Sequence, residues 1–230
     1  ASRSLLEQVA RQHRAVLVLE PSLEGAAKVA RKGTGGFEVS FQGVASHAGL
    51  DPERGASALL EMSHFTVYAA SLTRKETGTT VTPTVARSGS RTNVVPETAQ
   101  LSVDGRVWSA DEAERVEQSL RAYAARDPRV TLRIEGGFDR PPLEPTPAST
   151  VLYERARAIA GELGFELGAA RVGGGSDGNL TAALGVPTLD GLGPRGDGAH
   201  ARHEWVAADD LVRRAELILR LAFSLSDSPS

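Results

Sequence analysis

GTGGFEVSFQG, residues 33–43, is the stretch whose reading decides the fold. Phe37, Val39 and Phe41 alternate with Glu38, Ser40 and Gln42, the two-residue period of a strand with one buried and one solvated face. Working outward, Leu59, Met62, Phe65, Ala69 and Leu72 recur at helical spacing and predict a helix from about Glu53 to Leu72. Two more alternating strands follow, one through Val81, Pro83 and Val85 and one through Ala99, Leu101, Val103 and Val107. Ser109 and Glu112 have the spacing of a capping box and open a helix carrying Ala113, Val116, Leu120 and Tyr123 on one face. Val130, Leu132 and Ile134 mark a last strand. The order β-α-β-β-α-β is that of a ferredoxin-like α+β sandwich, with two helices covering one face of an antiparallel sheet.

The flanking chain has another texture. ASRSLLEQVARQH (1–13) reads as an amphipathic helix with Leu5, Leu6 and Val9 on one face, and AVLVLE (15–20) as a short strand buried on both faces. RPPLEPTP (140–147) packs four prolines into eight positions, which forbids continued strand pairing and places a domain boundary there. Beyond it come a helix from about Ala148 to Leu163 ended by Gly164, and a buried strand in VPTLD (186–190). A C-terminal helix over about 207–225 starts on Asp209 and Asp210 and turns Leu211, Ala215, Ile218 and Ala222 inward. The expectation is an α/β domain built from residues 1–32 and 142–230, interrupted by the ferredoxin-like domain at 33–141.

The 230 residues carry 26 Lys and Arg against 29 Asp and Glu, a formal charge of −3 without like-charge runs. That balance argues against nucleic acid and against an anionic membrane surface as partners. No stretch approaches the roughly 18 apolar residues of a membrane span. The absence of cysteine excludes disulfides, thiolate zinc sites and a cysteine nucleophile. The chain reads as soluble, with the cytoplasm favoured over secretion; the compartment itself stays unknown, since any targeting segment would precede Ala1.

Four polar segments are candidates for chemistry. Glu20 closes the first short strand, at the carboxyl end where α/β sheets gather ligands, although a solvated strand end reads the same way. In ASHAGLDPERG (45–55), His47 stands between small residues before a helix, either presented to a ligand or satisfied within a turn. RVGGGSDGN (171–179) sets Arg171 beside Gly173, Gly174 and Gly175, an arrangement suited to gripping a carboxylate, or a plain surface loop. GAHARHEWV (198–206) offers His200, His203 and Glu204 as metal ligands or as surface residues. GLGPRG (191–196) matches a dinucleotide fingerprint, but no amphipathic helix follows it and arginines stand where the ribose-binding acid belongs.

Taken in order, VLEPS, ASHAG-x-x-P-x-x-G, Asn-Val-Val-Pro at 93–96, GGGSDGN and GAHxxxEWV resemble the zinc metallopeptidase family of glutamate carboxypeptidases, aminoacylases, succinyl-diaminopimelate desuccinylases and acetylornithine deacetylases. The resemblance covers nearly the whole chain. It implies two zinc ions in the complete enzyme, with Glu20 a ligand of one and His200 a ligand of the other, and Glu204 a partner orienting that loop or the His200 ring. It implies a homodimer through residues 33–141, with His47 reaching the partner subunit's site to stabilise an oxyanion. Asn93 is a second donor there. Arg171 with Gly173, Gly174 and Gly175 would hold the substrate carboxylate, and Arg106 is a weaker candidate for that role. Lys28 matches a substrate-facing lysine only across a one-residue gap.

The family's H-x-D zinc motif, bridging aspartate and Glu-Glu pair precede the strand ending in Glu20, and nothing in this sequence occupies those places. The leading expectation is therefore the C-terminal portion of a di-zinc amidohydrolase or carboxypeptidase acting on N-acyl amino acids or short peptides, inactive alone, leaning towards the glutamate carboxypeptidases. Cobalt or manganese could replace zinc. The alternative is a non-catalytic dimerisation or ligand-binding module. Whether the chain is an enzyme is left open by the sequence.

Overall fold

The computed structural model describes residues 2–198 and 201–226. In chain order the elements are α1 (Ser2–Ala10), β1 (Val16–Leu17), β2 (Ala27–Arg31), β3 (Gly33–Gln42), β4 (Ser46–His47), α2 (Ala58–Ser71), β5 (Thr80–Ser88), β6 (Val94–Val95), β7 (Thr98–Val107), α3 (Ala110–Arg121) and β8 (Thr131–Arg140). There follow α4 (Pro147–Glu162), β9 (Ala169–Val172), α5 (Gly178–Ala182), β10 (Thr188–Leu189), β11 (Gly196–Asp197), β12 (Trp205–Val206) and α6 (Ala208–Ser226). They form two compact units, Gly33–Arg140 and the combination of Ala1–Lys32 with Pro141–Ser230.

The Gly33–Arg140 unit is a four-stranded antiparallel sheet of order β5-β7-β3-β8, the ferredoxin-like arrangement. β3 lies between β7 and β8 because its alternation gives it a full buried face: Phe37 opposes Val103, Val39 opposes Leu101 and Ile134, and Phe41 opposes Ala99 and Leu132. These residues pack with Met62, Phe65 and Ala69 of α2 and Val116 and Leu120 of α3 in one core. The Phe65 ring meets those of Phe41 and Tyr123 edge-on, with centroids 5.7 and 5.0 Å apart. Buried Glu61 on α2 accepts from the Tyr123 hydroxyl and the amides of Arg126 and Asp127, pinning the loop after α3. Burial and this carboxylate raise the Tyr123 phenol to about 12.

Several local expectations are corrected here. α2 begins at Ala58 rather than Glu53, because Pro52–Arg54 form a separate 3₁₀ turn and the Ser57 hydroxyl caps the helix by accepting from the Leu60 amide. Leu59 thus falls on the outer side. A bulge between Pro83 and Val85 breaks the alternation of β5 and turns Val85 outward. Only half of the capping box at α3 forms. Ser109 accepts from the Glu112 amide, but the Glu112 carboxylate is drawn away to Arg115, Arg74, Thr77 and Thr79.

In the other unit β1 pairs in parallel with β10, and β2 with β9; an antiparallel bridge between Lys28 and Asp190 joins the two pairs. Leu152, Ala156 and Ile159 of α4 and Leu217 and Leu221 of α6 pack on Leu167, Leu189 and Leu192. Thr146 and Ser149 cap α4 reciprocally, and Gly164, at φ +79°, ends it. The expected strand over 15–20 shrinks to Val16–Leu17, half-buried, with Leu19 exposed. α6 is rotated by one position from expectation: it buries Asp210, Arg214, Leu217 and Leu221, leaving Leu211, Ala215 and Ala222 exposed and Ile218 half-buried. The reason is polar. Asp210 accepts from the Arg195 amide and from Arg213, and pairs with buried Arg214, which donates to the Gly25 carbonyl; these bonds decide which face turns inward. α1 likewise seats on Ala10, with Leu5 and Val9 exposed.

Hydrogen bonds from Arg115, then Thr79, hold the Glu112 carboxyl at about 2, against the ordinary 4.5. A depressed folded-state value stabilises above 4.5, and that stabilisation fades as pH falls from 4.5 to about 2. Urea denaturation should therefore show the Gly33–Arg140 unit losing stability across this window, and Glu112→Gln should cost about 2 kcal/mol at neutral pH while flattening the dependence.

Candidate active site

In the inserted unit the ASHAG-x-x-P-x-x-G stretch folds back on the 93–96 segment. β4 pairs antiparallel with β6, His47 opposite Val94, and the Asn93 carbonyl accepts from the Ala48 amide at 2.9 Å. Two of the expected site residues are thus brought together on one exposed rim. Gly55 permits the fold: a Cβ there would collide with the Ser46 hydroxyl and crowd Val95. The ring of His47 is oriented by its own turn. Nδ1 accepts from the amides of Gly49 and Leu50, both at 3.1 Å, so the hydrogen-bond pattern assigns the proton to Nε2. His47 therefore presents a single outward N–H, a donor suited to a carbonyl oxygen on which negative charge develops.

In the α/β unit the organising group is a buried ion pair that the motifs did not announce. Asp190, fully buried just past β10, takes a bidentate fork from Arg31, Nε at 2.7 Å and an Nη at 2.8 Å. It also accepts from the Ser176 hydroxyl and from the Gly191 amide. The other Nη of Arg31 donates to the carbonyl of Gly174 at 3.0 Å. The glycine loop is thereby held from beneath. A bulge in β2 between Lys28 and Ala30 adds one residue and turns Lys28 and Arg31 towards the same aspartate. Burial lowers the Lys28 ammonium below its ordinary value, Arg31 adds to the effect, and Asp190 and Glu20 oppose it, so one half-buried lysine senses all three charges.

Above this base Arg171 is exposed in β9, and Gly173 and Gly174 are exposed just past it. Neither glycine has a positive φ, and a Cβ on either would meet nothing within 4 Å. Their smallness relieves no strain in the fold; it leaves bare backbone and open space beside a guanidinium. The glycines of GLGPRG serve packing instead. A Cβ on Gly193 would fall 2.5 Å from the Leu19 carbonyl, and one on Gly196 as close to that of Trp205.

The other expected residues fare differently. Arg106 forks onto Asp104, two residues away on β7, through Nε and one Nη, a pair that raises its pKa while its side chain stays partly exposed. Glu20 follows β1 and is exposed, its carbonyl accepting from Gly193. His200 lies outside the described residues, while His203 is exposed and lines the turn at Gly198. Among the described residues no three His, Asp or Glu side chains come together as a metal cluster. Zinc takes at least three protein ligands even at an open catalytic site, so the described residues alone do not fit it.

One unit thus carries an outward histidine N–H and the other a braced glycine loop, and each can be set beside known proteins. Residues 29–131 match the family model described as Peptidase dimerisation domain. The chain is 30% identical over 231 residues to Carboxypeptidase G2 of Pseudomonas sp. (strain RS-16), covering 97% of this chain and 55% of that protein. It is 30% identical over 95 residues to Peptidase T of Geobacillus kaustophilus (strain HTA426), 40% of this chain and 22% of that one. Among solved structures, aminopeptidase PepT from Bacillus cereus ATCC 10987 superposes with a TM-score of 0.82 at 22% identity, covering 95% of this chain and 59% of that one. The chain is thus similar to peptidases of the glutamate carboxypeptidase kind, and the match to the Peptidase dimerisation domain model falls almost wholly on its inserted unit. It spans about half the length of the curated relatives it matches.

The Arg31–Asp190 pair yields a direct test. Removing one partner strands a buried charge, so Asp190→Asn or Arg31→Met alone should cost about 3–5 kcal/mol in urea denaturation. The Arg31→Met/Asp190→Leu double variant should cost less than the sum of its single changes, a coupling read from the double-mutant cycle.

Proposed function

We propose that this chain is the carboxylate-gripping and dimerising portion of a di-zinc amidohydrolase or carboxypeptidase that cleaves the amide of N-acyl amino acids or short peptides, with glutamate-type substrates favoured. The observation that carries the reading is the bare Gly173–Gly174 backbone beside exposed Arg171, braced from below by Arg31. Arg171 would take the substrate carboxylate in two parallel hydrogen bonds, with Gly173, Gly174 and Gly175 leaving it room. The outward Nε2–H of His47, supplied across a homodimer with Asn93 beside it, would stabilise the oxyanion as the carbonyl is attacked.

Zinc belongs to this reading only with donors beyond the set described above; Glu20 and His200 are the ligands this chain would contribute. Supplied with zinc alone, the chain should neither retain it through dialysis nor hydrolyse N-acyl glutamates. Turnover that His200→Ala abolishes would overturn this expectation. The lack of a three-donor cluster among the described residues also favours the alternative, a non-catalytic dimerising module. In-frame sequence upstream of Ala1 encoding H-x-D and a Glu-Glu pair would decide for the enzyme.

The dimer is supported by what α2 and β5 leave uncovered. Leu60 and Val67, 59% and 72% exposed, line the outer face of α2, and β5 is an edge strand of the sheet. Sedimentation should give twice the 24.2 kDa chain mass, and Val67→Glu should shift it towards the monomer without unfolding the chain.

A further inference from the structure

Asn179 is fully buried in α5 and all of its side-chain hydrogen-bonding groups are engaged. Its Oδ1 accepts from the Ser176 amide at 2.9 Å, and its Nδ2 donates to the carbonyls of Lys32 at 3.1 Å and Pro141 at 2.8 Å. Lys32 is the last residue before the inserted unit and Pro141 the first after it. One amide group therefore ties together both places where the chain leaves and re-enters the α/β unit. The same crossings are closed by backbone bonds between Arg31 and Leu143 and from the Lys32 amide to Val172, at the foot of the glycine loop. Ser176 in turn donates to Asp190, which holds Arg31, which holds Gly174. The circuit closes on the loop from two directions, and each of its side chains is buried.

We infer that Asn179 is a positioning residue that couples the carboxylate-binding loop, Gly173–Ser176, to the two crossings of the inserted dimerisation domain. A ligand that orders the loop also orders the crossings, because Ser176 and both crossing carbonyls share one rigid, fully satisfied amide. The ligand part rests on the function proposed above; the mechanical part does not.

Hydrogen exchange of the full chain tests both parts, read at Ser176 in the loop and at Arg31, Lys32 and Leu143 at the crossings, with and without N-acetyl-L-glutamate. In the wild type the two groups of amides should share one opening free energy across a urea series, and the ligand should slow both. Asn179→Asp keeps the acceptor for Ser176 and turns an oxygen towards the two carbonyls. The crossing amides should then exchange about fivefold faster while Leu217 and Leu221 in the core keep their rates, and the ligand should slow the loop alone. Asn179→Ala should speed both groups. Crossing amides that open independently of Ser176 in the wild type, or that keep wild-type rates and ligand response in Asn179→Asp, overturn the coupling. A wild-type chain with no ligand effect defeats the carboxylate reading instead, and the ligand-free rates then decide the coupling by themselves. Arg171→Ala should abolish the ligand effect.

Discussion

The carboxylate of Asp190 has no access to water and accepts from Arg31, Ser176 and Gly191. A charge in that position is tolerable only when paired and saturated with donors, and this requirement dictates the local structure. It draws the end of β2 against the segment after β10, fixes the turn at Gly191, whose positive φ lets the amide face the carboxylate, and orients Ser176 and, through Arg31, Gly174. The glycine loop is therefore not a slack connection. Its polar groups are committed inward, while its small residues stay outward, the division a binding loop needs if it is to be rigid without being blocked.

The inserted unit reaches the same end by other means. Its sheet has one apolar face, and the packing of Phe37, Val39 and Phe41 against α2 and α3 carries the fold without a buried ion pair at its centre. The polar groups that are buried there, Glu61 above all, secure connections between elements. His47 is handled similarly. Two amides of its own turn fix the ring and its tautomer, so the donor direction is set before any substrate arrives, which removes an ordering cost from the step it would serve.

Much of this was legible in the sequence wherever a single physical rule governs a continuous segment. The period of two in β3 and β7 survives because one face is buried along its whole length, and the residues expected inward, from Phe37 to Val107, are inward. The peptidase resemblance was legible because its motifs lie in loops whose composition is unusual: glycines in series, a histidine among small residues. Where two rules compete, sequence periodicity misled. α6 carries apolar residues on both faces, and the choice fell to Asp210 and Arg214, whose hydrogen bonds to Arg195 and Gly25 lie far along the chain. Glu112 has the right spacing for a cap, yet a cluster of stronger donors took its carboxylate.

What the amino-acid sequence by itself determined is the class of each segment and the insertion of one unit in another, because burial patterns and glycine and proline placement are local properties. Tertiary structure alone decided which charges are partners. Arg31 and Asp190 are separated by 159 positions, and Asn179 meets Lys32 and Pro141 across 147 and 38. No local pattern encodes such pairings, since each residue alone is merely a polar group at the end of a buried strand or the start of a short helix. Only folding brings each donor to its acceptor, and desolvation then makes the match obligatory.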